Sequence, residues 1–274
     1  MRHRRPHFFR QVYEAFESLQ RRTLDAGYGG LVLLVDSLEK LRGMTDDFEQ
    51  VLRSAERLFA DGAPDLALPI HVLYTVPPTV VTRIEGEIRV LPMIKLRTKE
   101  GLPYREGSAA ATELIRRRIP QEDLAIIFGA DAVEERLGEA LAASGGYPRE
   151  IVRMLRAVVA EGEFPLSREG LRRVLLRQGE SVGRVALSHG VEGIRALARI
   201  HFHKRLLVGA AERQMMDHLV ANNLILRYQN DQEWVDLHPA VLEIDLVQQA
   251  IRELEQQGGA LGVPVVAPPV SQPS

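Results

Sequence analysis

Leu31-Val32-Leu33-Leu34-Val35-Asp36-Ser37-Leu38-Glu39-Lys40-Leu41 is the stretch on which the reading of the fold turns. Its five leading aliphatic residues follow Gly27-Tyr28-Gly29-Gly30 and show no alternation of polar and apolar side chains. Such a run predicts a strand buried on both faces, as in a parallel sheet. Upstream, Phe9, Val12, Phe16 and Leu19 recur at three- and four-residue spacing, the stripe of an amphipathic helix. Downstream, Phe48, Val51, Leu52, Ala55, Leu58 and Phe59 predict a helix over 46–60, broken by Asp61-Gly62-Ala63-Pro64. A second buried strand is expected over 68–76, closed by Pro77-Pro78, and a shorter third over 89–96. Strand, helix, strand in this order implies a parallel sheet with a crossover helix.

From Gly107 onward the period is helical. Helices are expected over 108–118, 130–143, 147–161, 167–179, 190–206 and 210–221, with Glu163-Phe164-Pro165 as an interruption. The period then changes. Leu224-Ile225-Leu226-Arg227-Tyr228 and Glu233-Trp234-Val235-Asp236-Leu237 flank Asn230-Asp231 and read as a β-hairpin. Helices followed by a hairpin suggest a winged-helix unit. The stretch from Gly258 carries Pro264, Pro268, Pro269 and Pro273, cannot bury a core, and is expected to be disordered. The fold class is therefore α/β followed by all-α.

Composition sets the outer limits. The chain has 274 residues, 45% hydrophobic and 26% charged, as in a soluble globular protein of one large or two small domains. No apolar run reaches the roughly 18 residues of a membrane helix. A formal charge of -2 gives no global drive toward nucleic acid or an anionic membrane. The absence of cysteine removes disulfides, thiolate metal sites and cysteine catalysis, and fits a reducing cytoplasm. Met1 to Arg10 is basic, but it runs into a helical pattern rather than an apolar signal core.

Four or five aliphatics ending in Asp36 place a carboxylate at the carboxyl edge of a parallel sheet, where ligands of open α/β sheets bind. The plainer reading is an acid that caps the next turn. Neighbouring features favour the first. The segment LVLLVDSLEKL resembles the Walker B region of the AAA+ and STAND classes of P-loop ATPases. The resemblance implies that Asp36 is the magnesium-holding aspartate of an ATP site and Glu39 a second, catalytic acid. It places Thr75 at the polar sensor-1 position. Ser144-Gly145-Gly146-Tyr147-Pro148-Arg149-Glu150 looks like the start of the sensor-2 lid helix, with Arg149 directed at the γ-phosphate. The hairpin region looks like the winged helix that often ends such proteins. On this likeness, which covers most of residues 9–256, 1–106 is a partial P-loop NTPase core with strands 3, 4 and 5 of its sheet. Residues 107–164 are a helical lid, 165–256 a helical and winged-helix domain, and 257–274 the tail.

Two departures shape the functional expectation. No G-x-x-x-x-G-K-[ST] loop occurs; there are four lysines and none follows such a glycine run. That loop cradles phosphates through backbone N–H groups, and its Lys and Ser/Thr reach phosphate and Mg²⁺. Ser37 stands where many AAA+ proteins carry the glutamate that polarises water. The expectation is thus the C-terminal portion of an ATP-binding switch, unable to hydrolyse ATP alone, its P-loop lying in a missing N-terminal segment or another protein. The alternatives are a nucleotide-free interaction scaffold and a winged-helix DNA-binding regulator.

Other residues are weaker signals. His201 and His203 point apart on a helix and make a poor metal pair. Arg116-Arg117-Arg118, and Arg172, Arg173 and Arg177, read as solvated helix faces. Arg213 and Arg227 are interleaved with Glu212, Asp217, Asp231, Glu233 and Asp236, a mixed surface that argues against DNA.

Overall fold

Ten helices and two small sheets make up the regular structure among the described residues, which in this computed structural model are 5–36, 68–76, 88–206, 209, 212–229 and 232–257. The expected helix over 46–60, the tail from Gly258 and Glu39 lie outside them. The chain divides into two units, Met1–Arg89 and Val90–Ser274.

In the first unit, α1 (Arg5–Asp25) carries the expected stripe, with Phe9, Val12 and Phe16 half-buried and Leu19 exposed. Exposed Arg10–Glu14 and Arg21–Glu17 pairs at 2.8 Å link residues one turn apart on it. Gln20 ties the helix to the sheet: its Oε1 accepts the Leu31 N–H at 2.8 Å. Strands β1 (Val32–Val35) and β2 (His71–Tyr74) pair in parallel, Val32 opposite His71 and Val35 opposite Tyr74. The parallel pairing follows the strand–helix–strand expectation, but burial on both faces does not. Exposure alternates along each strand, and Val32, Leu34 and Leu73 are 58%, 67% and 61% exposed. One sheet face is open among the described residues, and no described side chain of this unit is fully buried.

The expected third strand over 89–96 is not part of that sheet. Its backbone is used within the second unit instead. Met93 N–H donates to Arg227 O at 2.8 Å and Ile94 N–H to Gly146 O at 2.9 Å. The segment then turns back on itself, with Tyr104 N–H donating to Leu96 O at 2.9 Å and an antiparallel bridge between Arg97 and Pro103. Only two-stranded sheets occur among the described residues.

The second unit holds the cores. One is built by α2 (Arg105–Arg116), α3 (Gln121–Phe128), α4 (Val133–Ser144), α5 (Pro148–Ala160) and the start of α6 (Arg168–Ser188). In α5, Pro148 stands at the first helical position, where its missing N–H costs nothing, and Ile151, Leu155 and Val158 are buried at helical spacing. Ser167 caps α6, its Oγ accepting the Gly170 N–H at 3.0 Å. The second core joins α6, α7 (Gly190–His203), α8 (Arg213–Ala221), strands β3 (Ile225–Gln229) and β4 (Glu233–Leu237), α9 (Pro239–Leu242) and α10 (Asp245–Gln256). The hairpin is antiparallel, Ile225 opposite Leu237 and Gln229 opposite Glu233. Ile225, Val235 and Leu237 face that core. Leu226, Tyr228 and Trp234 face the other way and cover Met93 and Tyr147.

Four helices depart from expectation. α6 runs to Ser188 rather than stopping at residue 179. The longer helix contains Gly179 and Gly183, and an interior glycine costs a helix about 1 kcal/mol. Packing overrides that cost: a Cβ on Gly179 would lie 3.0 Å from Ala240 Cβ, so the glycine admits α9. Helices α3, α9 and α10 have no counterpart among the expected helices.

Candidate functional site

β1 and β2 end together at their carboxyl edge. The parallel register continues one step beyond the ladder, where Thr75 N–H donates to Val35 O at 3.1 Å. That step brings the Thr75 side chain to the next residue of β1, and its hydroxyl donates to Asp36 Oδ1 at 3.2 Å. Thirty-nine residues apart in sequence, the two form one polar group at the edge of the sheet. Asp36 is exposed and Thr75 half-buried, so the pair is open to solvent. Asp36 and Thr75 are thus brought side by side. Arg149 occupies the first turn of α5 in the other unit, and Glu39 lies outside the described residues.

Both oxygens suit a hard cation. Mg²⁺ takes carboxylate and hydroxyl oxygens and keeps several of its waters, so one aspartate and a neighbouring hydroxyl are a fitting donor set for it. The phosphate cradle has no counterpart in the sequence.

A second polar cluster escaped the sequence reading. Asp236, on β4, has a side chain only 3% exposed. Its Oδ1 lies 2.6 Å from His201 Nδ1 and accepts the Leu237 N–H at 2.8 Å. Its Oδ2 accepts from Lys204 Nζ at 2.8 Å and from Arg97 at 3.4 Å. All four acceptor directions of the carboxylate are therefore used. Burial pushes the Asp236 carboxyl up, but the His201 hydrogen bond and the Lys204 charge outweigh it and hold it below the usual range. Burial lowers Lys204 against the pull of Asp236. Lys204 has φ 54, left-handed at the end of α7, where glycine is the usual residue. In that conformation its carbonyl accepts the Val235 N–H at 3.1 Å. Meanwhile its ammonium reaches the next residue of the strand. His203 sets its ring edge-on to Phe202. Acids and cations from 97, 201, 204 and 236 carry no motif, because only the tertiary fold makes them neighbours.

His238 follows β4 and is 2% exposed. Its Nδ1 accepts the Ala240 N–H at 3.1 Å and caps α9. Burial, and then the charge of Arg153, push its pKa down to about 4. An unfolded histidine titrates near 6.5, so below that pH the unfolded chain binds more protons than the folded one. Stability contributed by neutral His238 is complete above about pH 6.5 and falls as pH drops toward the folded value. Between about pH 7 and about pH 5 this residue should remove about 2 kcal/mol. Urea unfolding at the two pH values measures it. His238→Asn keeps a capping acceptor and should flatten the slope; an equally steep slope in the variant would show that the proton goes elsewhere.

Comparison with protein-family models, with curated proteins and with solved structures gave no match. Function is therefore argued from the chain's own geometry. Among the described residues, no helix is long and apolar enough to cross a membrane, and no group of three or more histidines and acids is placed to hold a metal ion.

Proposed function

We propose that the chain carries the Walker B-to-lid part of an AAA+/STAND-like, ATP-binding switch protein, with the phosphate-binding loop supplied by a segment outside this sequence. The hydrogen bond from Thr75 to Asp36 across adjacent parallel strands supports this reading best. It joins the two residues that the resemblance assigns to magnesium and to sensor 1, from the same sheet edge. Asp36 would hold Mg²⁺ through its carboxylate, and Thr75 orients that carboxylate by donating to Oδ1. When bound, Mg²⁺ would neutralise charge on the nucleotide phosphates. The resemblance assigns Arg149, in the first turn of α5, to the γ-phosphate. The sequence has no G-x-x-x-x-G-K-[ST] loop to supply the amides and the lysine, so on this reading hydrolysis requires the other segment.

A nucleotide-free interaction scaffold is the second reading. It is favoured by the buried side chains, all of which, among the described residues, lie in the second unit. DNA recognition fits less well: Arg227 is engaged with Glu233 at 3.5 Å in the hairpin.

The readings separate by titration of the whole chain with ATP and Mg²⁺, or Mn²⁺ as a paramagnetic probe. Binding weaker than about 100 μM is expected because the amides and lysine are missing. Line broadening should centre on Asp36 and Thr75 and vanish in Asp36→Ala. Broadening that ignores these residues, or survives the substitution, would sink the ATPase reading and leave the scaffold.

A further inference from the structure

Two imidazoles face each other where α6 turns into α7. His189 Nε2 and His218 Nδ1 are 2.7 Å apart, with ring centroids 4.8 Å apart and planes at 62°. His189 closes α6 and opens α7, while His218 stands on α8. Space for the pair is built into the sequence. A Cβ on Gly193 would lie 2.3 Å from His189 Cβ, and Met215 Sδ of α8 is 3.8 Å from the same point. Glycine at 193 therefore lets the histidine seat itself between α7 and α8.

At this separation only one hydrogen fits between the two nitrogens. In the neutral pair one ring donates and the other accepts. A first added proton leaves an imidazolium donating to an imidazole. A second sets N–H against N–H and charge against like charge, and the contact fails. Burial, followed by the charge of His218, already pulls His189 below the ordinary histidine range. Charged groups nearest the pair along these helices are Arg184 on α6, Glu192, Arg195 and Arg199 on α7, and Arg213 and Asp217 on α8; the remaining charges of α6, from Arg168 to Glu180, lie farther along it, and His201 and His203 end α7. Arg199 is taken up by Glu212 at 2.5 Å.

His218 also governs the end of its helix. Its carbonyl accepts both the N–H of Asn222, at 3.1 Å, and the Asn222 side-chain amide, at 2.8 Å. Those bonds shape the turn through Asn223, at φ 58, that leads into β3. Displacing His218 therefore moves the approach to the hairpin.

We propose that His189 and His218 form a proton-operated latch, which holds α8 on the α6–α7 corner until a second proton enters the pair. The latched pair binds fewer protons than two separate histidines, so the latch strengthens as pH rises and is lost as pH falls below the histidine range. Release would uncover the Met216, Leu219 and Val220 side of α8, which belongs to the second core.

Nitrogen-15 NMR of the histidine rings and amide hydrogen exchange on the full chain test this between about pH 8 and about pH 5. The rings should take up protons in two separate steps. Across the second step, amides of α8 should lose at least about tenfold protection relative to α10, after correction for intrinsic exchange. Because α10 shares the same core, any global loss through His238 cancels in that ratio. His189→Gln keeps a hydrogen-bonding partner for His218 but not the second charge, and should make the ratio independent of pH. Coincident titration of the two rings, or α8 protection that follows α10 throughout, overturns the latch. The wild-type titration decides the question even if the variant fails to fold.

Discussion

Gly146→Ala should unfold the second unit or cost it more than about 4 kcal/mol, near the extreme of single substitutions. Gly146 has φ +77, and a Cβ there would sit 1.8 Å from Ile94 O and 2.9 Å from Ile94 C. The obstacle is backbone, held in place by the Ile94 N–H bond to Gly146 O, so no side chain can swing aside. The left-handed conformation adds about 1–2 kcal/mol for a residue with a Cβ. Gly107→Ala isolates the steric part. Gly107 lies in α2, yet its Cβ would be 1.6 Å from Lys95 O. Gly138, also in a helix, has nothing within 4 Å of a Cβ. Gly138→Ala should therefore stabilise by about 0.5–1 kcal/mol. Urea unfolding of the three variants gives the comparison. If Gly146→Ala and Gly107→Ala cost no more than Gly138→Ala, the 93–97 segment is not clamped between the two glycines.

Asp236→Ala should cost about 3–5 kcal/mol, the usual result of removing one partner of a buried ion pair. The carboxylate is the shared acceptor of His201, Lys204 and Arg97. Without it, Lys204 keeps its ammonium where burial already disfavours charge, in a left-handed backbone position that the fold itself maintains. Lys204→Met should cost less, because Asp236 keeps His201, Arg97 and the Leu237 N–H. Chemical denaturation supplies the energies, and hydrogen exchange at 200–204 and 233–237 locates the loss. Equal, small effects from the two substitutions would mean that the cluster is solvated in solution and does not tie α7 to the hairpin.

Legibility of the fold varied with the range of the interactions that make it. Helices α4, α5 and α7 followed from apolar spacing, and the hairpin from its change of period, because local sequence carries both signals. α6 runs past the expected end at residue 179, through a glycine whose missing Cβ makes room for α9, and that packing is not visible in local spacing. The 89–96 segment is extended and apolar, as a strand should be. Its partners are a glycine turn and Arg227, which no periodicity can name. At the candidate site, Asp36 was legible as a strand-end acid, and Thr75 as a polar residue ending the next strand. Their hydrogen bond required the parallel register that pairs Val35 with Tyr74.

The sequence by itself determined the helical second half, the two aliphatic runs, the absence of a G-x-x-x-x-G-K-[ST] loop and the absence of thiol chemistry. Each depends on residue type or on spacing within about twenty residues, where side-chain direction is set by the local backbone. Tertiary structure alone decided that Asp236 gathers Arg97, His201 and Lys204, that His189 meets His218, and that Gly107 and Gly146 clamp one segment. Asp236 and Arg97 are 139 residues apart, and Gly146 lies far from Ile94. Such pairs become neighbours only when packing of the two cores fixes where each backbone runs, because burial is non-directional and carries no address in the sequence.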